Sequence, residues 1–420
     1  MKKKERIALT LTCFSLFFGA GNLIFPPYLA FQAGGKLIPA LLGFYISAIG
    51  LPVLGLLAVA RSGGTDNISS RVSPSFSAIF ITIIYLSIGP CLAIPRTAST
   101  SFEMAGSFLS PSYKVAGQLI YSIVFFSVAF LIALRPEKLT RYLGRILCPA
   151  LLILIVLIFI GSLTLPKGPY AATTMSSNAF VTGFLDGYQT MDAIASLAFG
   201  VIIILNVRSL GVKDKKEELK EESIAALCAG VIFILIYSLI AIIGAKGSLY
   251  FPESKNGAEL LLKVTTLVFG GIGNLILSLV FILACLNTAI GLLSSCAEYF
   301  SLHFSFLSYK KWLFIFSLVS MALSNLGLNL ILKLSVPLLV LLYPILIILI
   351  VLSLIPLFDR GRYVYILPVY TALCFSAIET FIPSISKYIP LSSYSLSWII
   401  PSLLALVIGF VIDKRKREKV

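Results

Sequence analysis

The sequence predicts an all-α, polytopic membrane protein with about twelve transmembrane helices. Hydrophobic residues make up 58% of its 420 residues, charged residues only 12%, and the mean hydropathy is +1.00. A soluble domain could not keep that much apolar surface out of water. Alternating segments of about ten residues, typical of outer-membrane barrels, are absent from the sequence, which favours helices over strands.

Apolar segments separated by polar loops account for most of the chain. To within a few residues, they lie at 7–33, 37–60, 76–105, 115–134, 144–165, 178–206, 223–246, 261–300, 311–328, 333–356, 363–384 and 396–412. An even number of crossings puts both termini on one side of the membrane.

The basic residues indicate which side that is. Arg96 falls inside the third segment, and the side opposite the termini would carry eight of the 33 basic residues: Lys36, Lys114, Lys167, Lys246, Lys255, Lys263, Lys333 and Lys387. All other Lys and Arg residues lie on the side of the termini. This excess predicts cytoplasmic termini and a multi-pass protein of a plasma (inner) membrane.

The first segment is built so that a helix cannot run straight through it. Gly19 and Gly21 are weak helix residues, and the adjacent Pro26 and Pro27 remove two backbone donors. Asn22 places a polar amide between the glycines and the prolines at membrane depth. The sequence therefore predicts an interrupted helix.

We expect a first half-helix that ends near Phe18 and a second that opens near Ile24, with the prolines in its first turn. Such a break leaves carbonyl groups free at one helix end and N–H groups free at the other. Carbonyls suit a cation and a helix N-terminus suits a carboxylate, so the break could hold an amino-acid-like zwitterion, or a carboxylate beside a metal ion. The alternative is a Gly/Pro kink that serves only packing.

The sixth segment has a second interruption. Residues 186–192, DGYQTMD, are polar inside an otherwise apolar stretch. Two carboxyl groups at membrane depth cost roughly 2.5–3.5 kcal/mol each on insertion scales, so we expect them to face a partner or water. Gly187 would loosen the end of the first half-helix, and Thr190 or Asp192 would cap the second. A cap without solute contact is the alternative role for Asp192.

The two interrupted segments cross the membrane in opposite directions, five segments apart. This pattern predicts a 5+5 inverted repeat whose discontinuous helices 1 and 6 form the binding site of a transporter. The first repeat would cover residues 1–165 and the second 166–356, and residues 357–420 would add two helices and a basic cytoplasmic tail. The halves show no clear residue-level similarity, so the predicted repeat is topological.

Other polar residues at membrane depth are further candidates. Arg96 and Glu103 share a helical face and could form an extracellular gate or a structural ion pair. Asn287 and Thr288 could supply oxygen ligands to a hard cation, or bond to a neighbouring helix. Glu379 is a lone acid in the eleventh segment. The mixed-charge stretch after the sixth segment, KDKKEELKEE, is interpreted as a solvated linker.

Four sequence blocks resemble a known family. They are GAGNLIFPP in the first segment, GPCLAIPRTASTSFE in the third, GFLDGYQTMDAIASLAFG in the sixth and ACLNTAIGLLSSCAEYF in the eighth. Together, and in this order over nearly the whole chain, they resemble the branched-chain amino acid–cation symporter family. The resemblance implies a LeuT-type fold of the amino acid–polyamine–cation superfamily and uptake of leucine, isoleucine and valine driven by Na⁺ or, in some members, H⁺.

The resemblance also implies a substrate site and a cation site. The substrate carboxylate would sit at the first break and its ammonium would meet carbonyls of both breaks. The substrate-binding residues would be Gly19, Ala20, Gly21, Asn22, Tyr188 and Asp192. The residues that would offer oxygen ligands to sodium are Ser15, Phe18, Ala284, Asn287 and Thr288. Among these, Asn287 stands where the wider fold often has a second hydroxyl.

The leading hypothesis is a symporter that imports branched-chain amino acids by alternating access, without a cofactor other than the coupling ion. A transporter of another small neutral amino acid, such as alanine, and a non-transporting amino-acid sensor are the alternatives. An enzyme would need a catalytic cluster that the sequence, with its single histidine, does not contain. The net charge of +15 lies in short loops where it sets orientation in the lipid bilayer, so no nucleic-acid partner is expected.

Overall fold

The computed structural model describes residues 1–136, 139–166, 175, 178–359 and 361–417, and within these ranges the chain forms helices and no strands. Lys167 and residues 418–420 lie outside them. The helices, in chain order, are α1 (Lys3–Phe17), α2 (Ala20–Ala33), α3 (Leu37–Tyr45), α4 (Leu51–Ser62), α5 (Thr65–Ser69), α6 (Pro74–Leu86), α7 (Ala93–Ala105), α8 (Lys114–Ala133), α9 (Cys148–Ser162), α10 (Ala179–Tyr188), α11 (Asp192–Ser209), α12 (Lys215–Tyr250), α13 (Gly257–Phe269), α14 (Gly271–His303), α15 (Tyr309–Ser324), α16 (Leu328–Leu354), α17 (Tyr363–Phe381), α18 (Pro383–Ser386) and α19 (Ile399–Arg417).

Short π-helical segments interrupt the α-helical pattern at three places. Ile46–Gly50 joins α3 to α4, Ser87–Cys91 joins α6 to α7, and Thr140–Leu147 leads into α9. In the second of these, Gly89 has non-helical dihedral angles (φ −86°, ψ −127°) next to Pro90. Because proline lacks the N–H that a continuous helix needs, α6 and α7 meet at a kink.

Among the described residues, nine helical runs are long and apolar enough to cross a membrane. The prediction of an all-helical, polytopic membrane protein is confirmed, and the count of twelve crossings stays a prediction. The predicted eighth segment, 261–300, is wrong in extent, because the chain breaks at Gly270 into α13 and α14. Gly270 has φ +60°, a left-handed conformation that ends a right-handed helix.

The interpretation of the stretch after the sixth segment as a solvated linker is wrong. Asp214 caps α12 by accepting two backbone N–H groups at 3.1 Å, so the helix begins inside this stretch. Three of its four glutamates are buried, namely Glu218, Glu221 and Glu222. Glu221 pairs with Arg6 at 2.5 Å, and Glu218 pairs with Arg208 at 2.8 Å. These ion pairs fasten α1 and α11 to the start of α12.

Glycines let the central helices approach closely. A Cβ on Gly183 of α10 would lie 1.9 Å from the Ala40 carbonyl oxygen of α3, and one on Gly244 of α12 would lie 2.2 Å from the Pro27 carbonyl oxygen of α2. Small residues are the usual means of close helix packing in membranes. These close contacts hold the two interrupted helices at the centre of the protein.

Candidate functional site

The first interruption lies between α1 and α2. The helix stops at Phe17, passes through Phe18 and an extended Gly19, and resumes at Ala20. The Asn22 side chain caps the new helix, since its Oδ1 accepts the Gly19 N–H at 3.0 Å. That N–H would otherwise continue the α1 hydrogen-bond ladder, so the cap creates the break.

The predicted start of the second half-helix near Ile24 is therefore wrong by one turn. Pro26 and Pro27 lie inside α2 and not in its first turn. Each proline removes one backbone hydrogen bond but has a φ compatible with a helix. Because Asn22 fixes the start of α2 before the prolines, the helix continues through them. The predicted end of the first half-helix near Phe18 is confirmed.

The second interruption lies between α10 and α11. Tyr188 ends α10 and Asp192 begins α11, with Met191 at φ +66° between them. A left-handed conformation is uncommon for a non-glycine residue and is tolerated where the surroundings enforce it. The Thr190 hydroxyl donates to the Gly187 carbonyl at 2.9 Å and accepts the Asp192 N–H at 3.4 Å, so Thr190 takes the predicted capping role.

The two interruptions meet. The Asn22 side-chain nitrogen donates to Asp192 Oδ2 at 2.5 Å and contacts the Tyr237 hydroxyl of α12, which in turn lies 3.5 Å from Asp192 Oδ2. A Cβ on Gly21 would lie 3.1 Å from the Thr190 Cα, so the two breaks approach closely here and a side chain at position 21 would crowd the second break. The Asp192 carboxylate thus bonds to the other broken helix and to α12, and these contacts are not those of a helix cap.

Arg96 of α7 is the positive charge of this site. Its side chain is 5% exposed, and its two terminal nitrogens donate to the carbonyls of Gln189 at 2.9 Å and Thr190 at 3.3 Å. The predicted structural pair with Glu103 does not form: the ion pairs of the described residues do not include Arg96. The kink before α7 turns Arg96 inward, toward the carbonyls left free where α10 ends.

A narrow cavity of about 20 Å³ lies at the meeting point, which is room for about one water molecule in this conformation. Both breaks line it, together with Arg96 and Thr288. Its apolar lining residues are Phe17, Ile88, Ala93, Ala195, Phe199 and Leu292. The cavity therefore combines groups that recognise charge with an aliphatic and aromatic wall.

Thr288 of α14 adjoins the first break on its other side. A Cβ on Gly19 would lie 2.8 Å from the Thr288 hydroxyl oxygen. The Thr288 hydroxyl, the Ser15 hydroxyl and both polar atoms of the Asn287 amide are buried without a hydrogen-bond partner. Buried polar atoms are usually paired, so the unpaired hydroxyl of Thr288 beside the first break is a candidate ligand for a hard cation.

Two predicted site residues lie elsewhere. Tyr188 stacks on Tyr343 of α16 with 4.1 Å between ring centroids, and it is not among the residues that line the cavity between the breaks. Glu103 lines a separate, wider recess of about 470 Å³ together with Lys114 and Glu259. A hydrogen bond from the neighbouring Lys263 ammonium lowers the pKa of Glu259, so this carboxyl is an anion at neutral pH.

Residues 2–416 match the family described as branched-chain amino acid transport protein. The chain belongs to this family. It is 35% identical to branched-chain amino acid permease BrnQ of Salmonella typhimurium, over 100% of this chain and 98% of that permease. It is 36% identical to permease BraB of Bacillus subtilis, over 97% and 95% of the two chains. With the branched-chain amino acid transport system 2 carrier protein of Pseudomonas aeruginosa it shares 35% identity, over 99% and 97%.

Two solved transporters share the fold of this branched-chain amino acid transport protein. Mhp1, a nucleobase–cation–symport-1 family transporter solved in a closed conformation with bromovinylhydantoin bound, gives a TM-score of 0.62 at 12% identity, with 96% of this chain and 91% of Mhp1 covered. MhsT in complex with L-phenylalanine gives 0.54 at 18% identity, with 97% and 98% covered. The predicted LeuT-type fold is confirmed, the protein is a transporter and not an enzyme, and the inverted repeat stays a prediction.

Sequence reasoning missed one residue of the branched-chain amino acid transport protein and misplaced another. Tyr237 was not a candidate, although its hydroxyl bonds to both Asn22 and Asp192. The available signal was a phenolic hydroxyl at membrane depth, which needs a partner. Arg96 was expected near the outer boundary, either at a gate or in a structural pair with Glu103, yet it lines the cavity between the two breaks.

Proposed function

We propose that this membrane transporter is a cation-coupled symporter that imports leucine, isoleucine and valine by alternating access. The observation that carries the proposal is the hydrogen bond between Asn22 and Asp192, which joins the two interrupted helices beside one cavity. The family description and the names of three relatives, each at least 35% identical, support branched-chain amino acids as the substrate.

The amino acid would lie between the two breaks. Its carboxylate would be held at the start of α2, where Ala20 and Gly21 present backbone N–H groups that lack an intrahelical partner. Its ammonium would meet carbonyls of the breaks and the Asp192 carboxylate. The branched aliphatic side chain would pack on the wall that includes Phe199 and Leu292. In this conformation the cavity is too small for an amino acid, so the helices around it must move apart to admit one.

Sodium is the proposed coupling ion. It would be bound by the Ser15, Phe18 and Ala284 carbonyls and by the Thr288 hydroxyl, with the Asn287 amide oxygen as a further ligand. The unpaired Thr288 hydroxyl beside the α1–α2 break supports this assignment, and the Asn287 amide on the same helix is likewise buried without a hydrogen-bond partner. A proton is the second candidate, and the observation that favours it is the buried carboxylate of Asp192 at the contact between the breaks.

The termini would face the cytoplasm, as the distribution of Lys and Arg predicts. Cation binding would stabilise the outward-open arrangement and complete the amino-acid site. The broken helices, together with α3, α4 and α12, would then rock against the remaining helices and release both solutes inward. No covalent step is needed.

Uptake into proteoliposomes tests the proposal. Radiolabelled leucine should accumulate when a Na⁺ gradient is imposed. Excess unlabelled isoleucine or valine should reduce this uptake more than excess alanine does. If leucine accumulates only when a proton gradient is imposed, the coupling ion is H⁺ and not Na⁺. Stronger competition by alanine would favour a transporter of small neutral amino acids. Leucine binding without accumulation would reject the symporter and favour a non-transporting amino-acid sensor.

A further inference from the structure

The guanidinium of Arg96 is a buried charge whose partner is not an acid. It donates to two backbone carbonyls, its Nε is buried without a hydrogen-bond partner, and the ion pairs among the described residues leave it out. Asp192 is near enough to act on it electrostatically, but Asp192 Oδ2 already accepts hydrogen bonds from Asn22 and Tyr237. A charge buried in this way is stable only with a compensating group.

The start of α2, the other candidate for binding an anion, is partly satisfied. The Gly19 N–H is occupied by the Asn22 side chain, which removes one of the donors that a carboxylate could use. Besides that N–H, the start of α2 offers an anion only the weak positive end of the helix dipole and a few further N–H groups. A carboxylate bound there therefore gains from a second, fully charged donor.

Arg96 and the start of α2 face the same cavity. A Cβ on Gly21 would lie 3.3 Å from Arg96 Nη2, so the guanidinium reaches within contact distance of the backbone in the first turn of α2. The cavity is lined by both Arg96 and residues 19–22. A carboxylate against the first turn of α2 would thus also meet the guanidinium.

We propose that Arg96 binds the carboxylate of the transported amino acid directly, together with the start of α2. This inference rests on the proposed function, because it assigns a partner to one end of the same substrate. Arginine suits the role, since its planar group can keep its bonds to the α10 carbonyls and present Nε to a carboxylate oxygen. The substrate carboxylate then pairs with the guanidinium, and Asp192 is left to meet the substrate ammonium.

The competing role is positional. Through Gln189 and Thr190, Arg96 holds the end of α10, and its loss could distort the second break without any contact to substrate. The two roles differ in one measurable respect. A carboxylate-binding residue discriminates leucine from leucinol, which has the same ammonium and side chain but no carboxylate, whereas a positioning residue affects both ligands equally.

The experiment measures the stabilisation of purified protein by L-leucine and by L-leucinol in thermal melts, with labelled leucine binding as a second readout. Wild type should prefer leucine to leucinol by about 30-fold or more, as expected for a buried charge pair. In Arg96→Gln, leucine affinity should fall by most of that factor and leucinol affinity should stay unchanged, so that only the smaller preference due to the start of α2 remains. Arg61→Gln, which removes a surface partner of Asp359, is the matched control and should behave as wild type.

Arg96→Lys keeps a charge but not the planar group, so this variant should lose part of the preference for leucine over leucinol. It also provides a second test if the glutamine variant does not fold. Melting temperatures without ligand and gel-filtration profiles report folding separately. Equal losses of leucine and leucinol affinity, or an unchanged preference in both variants, would overturn the assignment. Wild type that does not bind leucine at all would instead reject the proposed function.

Discussion

Replacing Gly19 with alanine tests whether the first helix break and the hydroxyl of α14 form one site. The new Cβ would lie 2.8 Å from Thr288 Oγ1, 3.2 Å from its Cβ and 3.3 Å from its Cγ2. Gly19 itself is extended, at φ −120° and ψ −156°, so alanine conflicts with Thr288 and not with its own backbone. Overpacking of this kind costs about 1–3 kcal/mol, which is about 5- to 150-fold in an equilibrium constant.

The displaced hydroxyl should weaken cation binding, so the Na⁺ concentration for half-maximal leucine uptake should rise within that range. The double variant Gly19→Ala/Thr288→Ala removes the hydroxyl and the Cγ2 and keeps only the 3.2 Å contact with the Cβ of residue 288, so most of the clash is relieved. Its melting temperature without Na⁺ should return toward wild type while its Na⁺ dependence stays impaired. Gly35→Ala is the matched control, because nothing lies within 4 Å of its added Cβ. Wild-type melting and wild-type Na⁺ dependence in Gly19→Ala would refute the reasoning.

Further variants test the remaining contacts. Thr288→Ala alone should raise the Na⁺ requirement about 10-fold or more, since a hydrogen-bonding ligand to a charged group is lost, and an unchanged requirement would remove it from the cation site. Asp192→Asn should lower leucine uptake by about 10-fold or more because it removes the charged acceptor of Asn22, whereas normal kinetics would restrict Asp192 to a structural role. Tyr237→Phe should raise the KM for leucine by about 2- to 10-fold through the loss of one buried hydrogen bond, with a wild-type KM as the contrary outcome. Gly183→Ala should sharply lower the yield of monodisperse protein, because its Cβ would lie 1.9 Å from a backbone oxygen of α3, and a yield equal to that of Gly35→Ala would contradict this packing.

The features that the sequence predicted well are local. Each apolar segment signals its own helix, and each interruption is visible where glycines, prolines or carboxyl groups fall inside an apolar stretch. The polar residues 186–192 marked the break that the structure has between α10 and α11. Asn22 was recognisable because an amide at membrane depth requires a partner.

The features that the sequence did not predict depend on contacts between distant parts of the chain. The start of α2 at Ala20 follows from an asparagine cap, whose strength against the two prolines cannot be judged from residue types alone. The position of Arg96 depends on a kink in the preceding helix and on carbonyls that become free 93 residues later in the chain. Tyr237 bonds to a residue 215 positions away, and one tyrosine in a long apolar helix carries no local sign of that partner.

The planar amide of Asn22 has a consequence for how two solutes influence each other. Its oxygen holds the backbone at Gly19, next to Thr288, and its nitrogen holds the Asp192 carboxylate. The two ends of one rigid group cannot reorient independently, so a solute that fixes the backbone on one side also fixes the acid on the other. Linkage makes this relation reciprocal: the factor by which an ion tightens amino-acid binding equals the factor by which the amino acid tightens ion binding.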